Sequence, residues 1–133
     1  YISGTGVANC NLFYFSGCRF INNNKNRVFT TGMAGIYLTG CEFDGNSGLT
    51  TATYPAIRFA TGTTGANVVG CLVGHTRYGG GFTDLYSVQA DAGFAGLLNI
   101  SGNNFKDFSV AVTPILDNSG LAGTAVVKAN NAY

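Results

Sequence analysis

The sequence predicts an all-β fold, a right-handed parallel β-helix of about five rungs, and three observations predict it. A short apolar pattern recurs five times along the 133 residues, its cores are rich in β-branched and aromatic residues, and a glycine stands at the same point in four of the five copies. Units of this size cannot bury an apolar face alone and become stable by stacking on one another.

The composition points the same way. Charged residues make up 10% of the chain, against about 25% in an ordinary soluble domain. There are 20 Gly, 14 Asn and 14 Thr, yet 46% of the residues are hydrophobic, so the chain has apolar surface to bury and is not a disordered segment. Many short strands joined by tight turns fit that balance. The net charge is +1 with no basic cluster, so the electrostatic footprint of a nucleic-acid or anionic-membrane binder is missing. No apolar run reaches the roughly 18 residues that a membrane helix requires.

In chain order the five copies are Phe13–Phe20 (FYFSGCRF), Ile36–Phe43 (IYLTGCEF), Ala66–Val73 (ANVVGCLV), Leu98–Phe105 (LNISGNNF) and Ala125–Ala132 (AVVKANNA). Their anchors are Cys18, Cys41, Cys71, Asn103 and Asn130, spaced 23, 30, 32 and 27 residues apart. Five before the anchor stand Phe13, Ile36, Ala66, Leu98 and Ala125; three before it stand Phe15, Leu38, Val68, Ile100 and Val127. Two after it stand Phe20, Phe43, Val73, Phe105 and Ala132. These positions keep the period-2 alternation of a strand with one buried face. The phase slips once at the anchor, as it must where the chain turns a corner with its inner face still inward.

Gly17, Gly40, Gly70 and Gly102 immediately precede the first four anchors. Glycine suits a left-handed corner because it has no Cβ to clash; Ala129 stands there in the fifth copy. A second set of strands is predicted at Arg27–Thr30, Ala56–Ala60, Asp84–Val88 and Val110–Thr113. The loops Asp44–Pro55 and Gly74–Thr83 absorb the unequal spacings. Helical repeats are excluded because no window sustains a 3.6-residue period. Leucine-rich repeats are excluded by the missing Leu ladder, and a propeller blade needs about 40 residues.

The reading of the rung as apolar-x-apolar-x-small-Asn/Cys-x-Phe resembles the pectin-lyase-like β-helix superfamily, over about Phe13 to Ala132. The low charge, the Gly/Asn/Thr-rich turns and the final Lys128–Tyr133 (KANNAY) look most like the β-helix domains of bacteriophage tailspikes and tail fibres. That resemblance implies a homotrimer in a virion or other extracellular fibre, with a cell-surface polysaccharide as partner. It implies either a structural, receptor-binding module or a polysaccharide-degrading hydrolase or lyase, because many activities share the fold. The resemblance brings no cofactor. The polygalacturonase signatures Asn-Thr-Asp, Gly-His-Gly and Arg-Ile-Lys are missing, as is an Arg-x-Pro-x-x-Arg segment, so pectate lyase and polygalacturonase activities are not expected.

The side chains that chemistry would use are few. Cys18, Cys41 and Cys71 fall in one inward column about 4.8 Å apart. With no C-x-x-C and a single His they are expected to be buried thiols and not metal ligands; Cys10 has no obvious partner. Asn103 and Asn130 are expected to begin an asparagine ladder. Glycoside cleavage needs two carboxyl groups, and Glu42, Asp84 and Asp91 are the best placed, although no two acids recur at one rung position. The chain is therefore read as leaning away from enzymatic activity. His75 is a turn residue, Gly79–Gly81 lacks the following Lys-Ser/Thr of a phosphate loop, and the Asn99–Ser101 sequon falls within a predicted strand. Tyr14 and Tyr37 share the outward position four before the anchor and should stack. With Tyr78 and Tyr86, which like Tyr54 and Phe82 lie in or beside the long loops, they are the candidate carbohydrate-binding residues; packing against a neighbouring subunit is the competing use of such exposed aromatics.

Residues 1–133 are read as one β-helix domain. Neither end shows a helix or charged cap, so the domain is expected to be part of a longer helix, to stack end to end or to trimerise.

Overall fold

The computed structural model describes residues 12–23, 26–46, 54–75, 85–105, 114–121 and 126–132. Each turn of chain contributes three strands. The first holds β1 (Phe13–Ser16), β2 (Arg19–Asn23) and β3 (Val28–Thr30), and the second β4 (Ile36–Thr39), β5 (Glu42–Asn46) and β6 (Ile57–Phe59). The third holds β7 (Gly65–Val69), β8 (Leu72–His75) and β9 (Val88–Ala90), and the fourth β10 (Leu97–Ser101), β11 (Asn104–Phe105) and β12 (Ile115–Asp117). Strand β13 (Val126–Ala129) opens a fifth. Equivalent strands pair in parallel into three sheets, β1-β4-β7-β10-β13, β2-β5-β8-β11 and β3-β6-β9-β12. The chain is all-β, with three parallel sheets in a solenoid arrangement and no helix among the described residues.

Alternation within each strand decides what is buried. Ile36 and Leu38, Ala66 and Val68, and Leu98 and Ile100 turn inward from the first sheet. Phe43, Val73 and Phe105 do so from the second, and Ile57 and Phe59 with Val88 and Ala90 from the third. The columns stack like on like: the rings of Phe20 and Phe43 lie 4.8 Å apart and within 4° of parallel. Removing one such side chain to Ala costs about 2–5 kcal/mol, because the packed neighbours cannot close the space.

The corner after the first strand is left-handed in every rung, with φ of 62° at Gly17, 58° at Gly40, 62° at Gly70 and 64° at Gly102. In the fifth rung Asn130 takes it, with φ 53°. This corrects the predicted register. Val126 and not Ala125 pairs with Leu98, Ala129 pairs with Ser101, and the fifth anchor is Asn131 and not Asn130. The reason is steric: Asn tolerates the left-handed region and Ala does not. The shift places Val127 on the outer face at 40% exposure and brings Lys128 into register with Ile100. Ala132, expected inward, is exposed and bridges to Asn104.

The third sheet also departs from expectation in its later rungs. The predicted strand Asp84–Val88 ends where β9 begins, and β12 lies beyond the predicted Val110–Thr113. Pairing explains the shift, since Val28, Ile57, Val88 and Ile115 are in register. The corner from the third strand to the next rung lengthens by one residue per rung. Segments 31–35, 60–65 and 91–97 lead to the aligned Ile36, Ala66 and Leu98. Threonines knit that corner: Thr30 and Thr63 hydroxyls meet at 3.0 Å in the core, and Thr61 Oγ1 donates to Ala92 O at 2.9 Å. Thr64 Oγ1 likewise donates to Ala34 O at 2.8 Å.

The fourth and fifth rungs end the apolar columns with charge. Asp117 is in register with the buried Ala90, Lys128 is in register with the buried Ile100, and Lys128 Nζ lies 3.1 Å from Asp117 Oδ2. The repeat pattern gave no sign of this pair, because the slipped register hid Lys128 on the outer face.

Candidate functional site

The outward column of the first sheet runs Tyr14, Tyr37, Asn67, Asn99 and Val127 across five paired strands. Tyr14 and Tyr37 stack with ring centroids 4.6 Å apart and an interplanar angle of 16°, as their shared position predicts. Tyr14 is 68% exposed, so one ring face stays open to solvent. The column then changes from rings to amides. Asn99 Nδ2 donates to Asn67 Oδ1 at 2.6 Å, while Asn99 Oδ1 is shielded and accepts no hydrogen bond.

Beside this column lies a groove of about 360 Å³, lined by Tyr37, Asn67 and Asn99 on one side and by Thr64 and Leu97 on the other. Its floor is low because Gly35 and Gly65 carry no side chain there. Leu97 stands 55% exposed on the rim. Among the described residues, no charged side chain lines the groove. A rigid stack thus presents an open aromatic face in series with amides, the combination of apolar ring contact and directional hydrogen bonding that polar ring ligands use.

Asn67, Asn99, Thr64 and Leu97 were not singled out as binding residues by the sequence. The signal for two of them was present, since Asn67 and Asn99 stand four residues before Cys71 and Asn103, as the two tyrosines do before their own anchors. Among the other aromatic candidates, Tyr86 precedes β9 in the third sheet and is half-buried, its carbonyl accepting from Ala56 N at 2.9 Å. The structure does not bring it to the tyrosine pair. Tyr78 and Phe82 lie outside the described residues.

Two of the candidate acids, Glu42 and Asp91, are tied into ion pairs with residues of the preceding rung. Glu42, on the outer face of the second sheet, lies 2.7 Å from Arg19 Nε of the preceding rung. Asp91, after β9, accepts from Arg58 Nε at 2.9 Å and from Gln89 Nε2 at 2.7 Å. Arg58 itself sits 5.7 Å from the centre of the Phe29 ring. Each carboxylate holds neighbouring rungs together, and the two are not paired with each other. Asp84 lies outside the described residues, as does Cys10.

The three cysteines form the column expected of them and are free thiols. Cys41 and Cys71 each do part of an asparagine's work. Cys41 Sγ donates to Phe15 O at 3.3 Å and Cys71 Sγ to Leu38 O at 3.5 Å. Asn103 Nδ2 donates to the equivalent Val68 O at 2.9 Å, and its Oδ1 also accepts from Cys71 N at 2.8 Å. Burial pushes the Cys71 thiol up to about 11, against the opposing backbone N–H of Cys41. Burial raises the Cys41 thiol too. Thiolates are the nucleophilic and metal-binding form, so this column is built for packing. Among the described residues no group of three or more His, Cys, Asp or Glu is placed to hold a metal ion, and no helix is long and apolar enough to cross a membrane.

Comparisons with known protein families, curated proteins and solved structures find no match to this chain.

Proposed function

We propose that this chain is a right-handed β-helix module with a structural and receptor-binding role. It would serve in a bacteriophage tail or comparable extracellular fibre, where it holds a cell-surface polysaccharide on the outer face of its first sheet. The observation that carries this reading is the stacked pair Tyr14–Tyr37, open to solvent at one end of a groove continued by Asn67 and Asn99. Sugar rings have apolar faces that rest on aromatic rings and hydroxyl edges that bond to amides. A right-handed coil is the sense that parallel crossovers take in about 98% of cases. In such a fibre the module works as a homotrimer or stacked on further rungs, which would cover exposed apolar side chains such as Ile21 and Val127.

The test is binding of the purified chain to an array of bacterial surface polysaccharides, followed by calorimetry. Tyr14→Ala removes the open ring face without touching the core and is expected to weaken binding about tenfold, equivalent to about 1.4 kcal/mol. Binding that survives Tyr14→Ala and Asn67→Ala unchanged would exclude this face as the site.

A further inference from the structure

We infer that the groove, extended by the open Tyr14 ring, selects an uncharged polysaccharide lying along the axis of the stack and spanning four rungs; this rests on the glycan-binding reading above. The inference follows from where the charges are. Arg19 and Glu42 pair on the second sheet, and Arg58 and Asp91 pair at the third. The strands β1, β4, β7 and β10, which carry Tyr14, Tyr37, Asn67 and Asn99, hold no charged residue. The corner residues that line the groove, Ala34, Gly35 and Thr64, are uncharged as well. In the following strand Lys128 stands in register with the core residue Ile100 and is held by Asp117.

A charge-free groove discriminates by desolvation. A uronate or sulfate entering it would lose water and gain no cation, and an unpaired ion leaving water is penalised far more than a hydroxyl that finds a partner. Hydroxyls do find partners here. The amides of Asn67 and Asn99 both line the groove, where they can offer donors and acceptors.

The axial direction follows from the register. Tyr14, Tyr37, Asn67 and Asn99 are cross-strand neighbours on consecutive parallel strands. Strands repeat about every 4.8 Å, so the four positions span ~14 Å in a straight line. That repeat is close to the length of one sugar ring, which lets successive rings meet successive side chains. A ligand lying along one strand would meet the side chains of a single rung.

The experiment uses the full chain against two immobilised panels, neutral glucans and galactomannans on one side and polygalacturonate and alginate on the other. Binding to neutral polymers at least tenfold tighter is expected, with affinity rising with oligosaccharide length until four rungs are spanned and then levelling off. The variant Leu97→Lys puts a cation on the exposed rim without removing a hydrogen bond, and is expected to gain polyuronate binding at least tenfold, its fold checked by circular dichroism. Equal or tighter binding of polyuronates by the unaltered chain overturns the neutral selectivity while leaving glycan binding intact. Length-independent affinity overturns the axial placement. Binding to neither panel overturns the inference together with the glycan-binding reading, and a trimer whose formation abolishes binding would assign this face to a second copy of the chain.

Discussion

Asn131 Oδ1 accepts two hydrogen bonds from Asn103, one from its backbone N–H and one from its side-chain amide, both at 3.0 Å. Asn131 Nδ2 donates to Ile100 O at 3.0 Å, repeating one rung on what Asn103 does to Val68. The corner asparagine of each rung therefore closes the corner of the rung before it. Where cysteine stands instead, the thiol supplies the donor to the carbonyl but replaces the amide oxygen with a weak acceptor.

That division of labour orders a set of variants. Asn103→Ala leaves the Cys71 N–H without its acceptor in the core, at about 1–3 kcal/mol, and removes the amide donor from Val68 O. Asn103→Cys keeps a donor to Val68 O and is expected to cost less. Denaturant unfolding should rank wild type above Cys and Cys above Ala; equal losses for the two variants would show that the thiol is not an amide substitute.

Two glycines should answer substitution differently. A Cβ on Gly96, at φ +80°, would sit 2.0 Å from Thr64 O, a backbone atom that cannot yield. Gly70, at φ +62°, has nothing within 4 Å of its would-be Cβ. Gly96→Ala is expected to prevent folding, since the left-handed backbone alone costs roughly 1–2 kcal/mol before the clash is counted. Gly70→Asn, which copies Asn130, is expected to shift the melting temperature by only a few degrees.

The buried thiols should be inert while the chain is folded. Cys71 is pushed up to about 11 and Cys41 is raised, so both stay protonated at neutral pH. Iodoacetamide at pH 7.5, read by peptide mass spectrometry, is expected to modify Cys41 and Cys71 only after denaturation, and the half-buried Cys18 first. Fast native labelling of Cys71 would contradict the core placement.

The Asp117–Lys128 pair predicts a dependence on acid. Burial pushes the Asp117 carboxyl up, but the hydroxyl and backbone N–H of Ser119 together with Lys128 outweigh it, and the net shift is downward. A carboxylate with a depressed folded-state value contributes stability above its unfolded value of about 3.9, and that contribution is lost as pH falls through the folded value. Lys128 is 37% exposed, so the pair belongs in the solvent-screened range of about 0–1 kcal/mol. Thermal melts of wild type and Lys128→Met should differ at pH 6 and converge once the pH has fallen through the depressed folded-state value. A difference that persists unchanged into acid would assign the effect to packing of the lysine stem.

The sequence by itself determined the rung. Alternation at the positions five and three before the anchor, the glycine corner and the phase slip at the anchor are local, and each acts through backbone sterics or the period of a strand. They suffice to put Ile36 and Leu38, Val68, Ile100 and Phe43 in the core, and Tyr14 beside Tyr37. The tertiary structure decided what depends on the neighbouring rung. Local alternation allowed Asp84–Val88 as a strand, but pairing with Ile57 selected Val88–Ala90. An Ala129 corner was compatible with the repeat, but closure onto Asn103 required Asn131 at the anchor and therefore Asn130 at the left-handed position. The ion pairs of Glu42 and Asp91, the Lys128–Asp117 pair and the glycine-floored groove all join residues from different rungs. Their partners are fixed by stacking across rungs of unequal length, and no spacing along the chain encodes that directly.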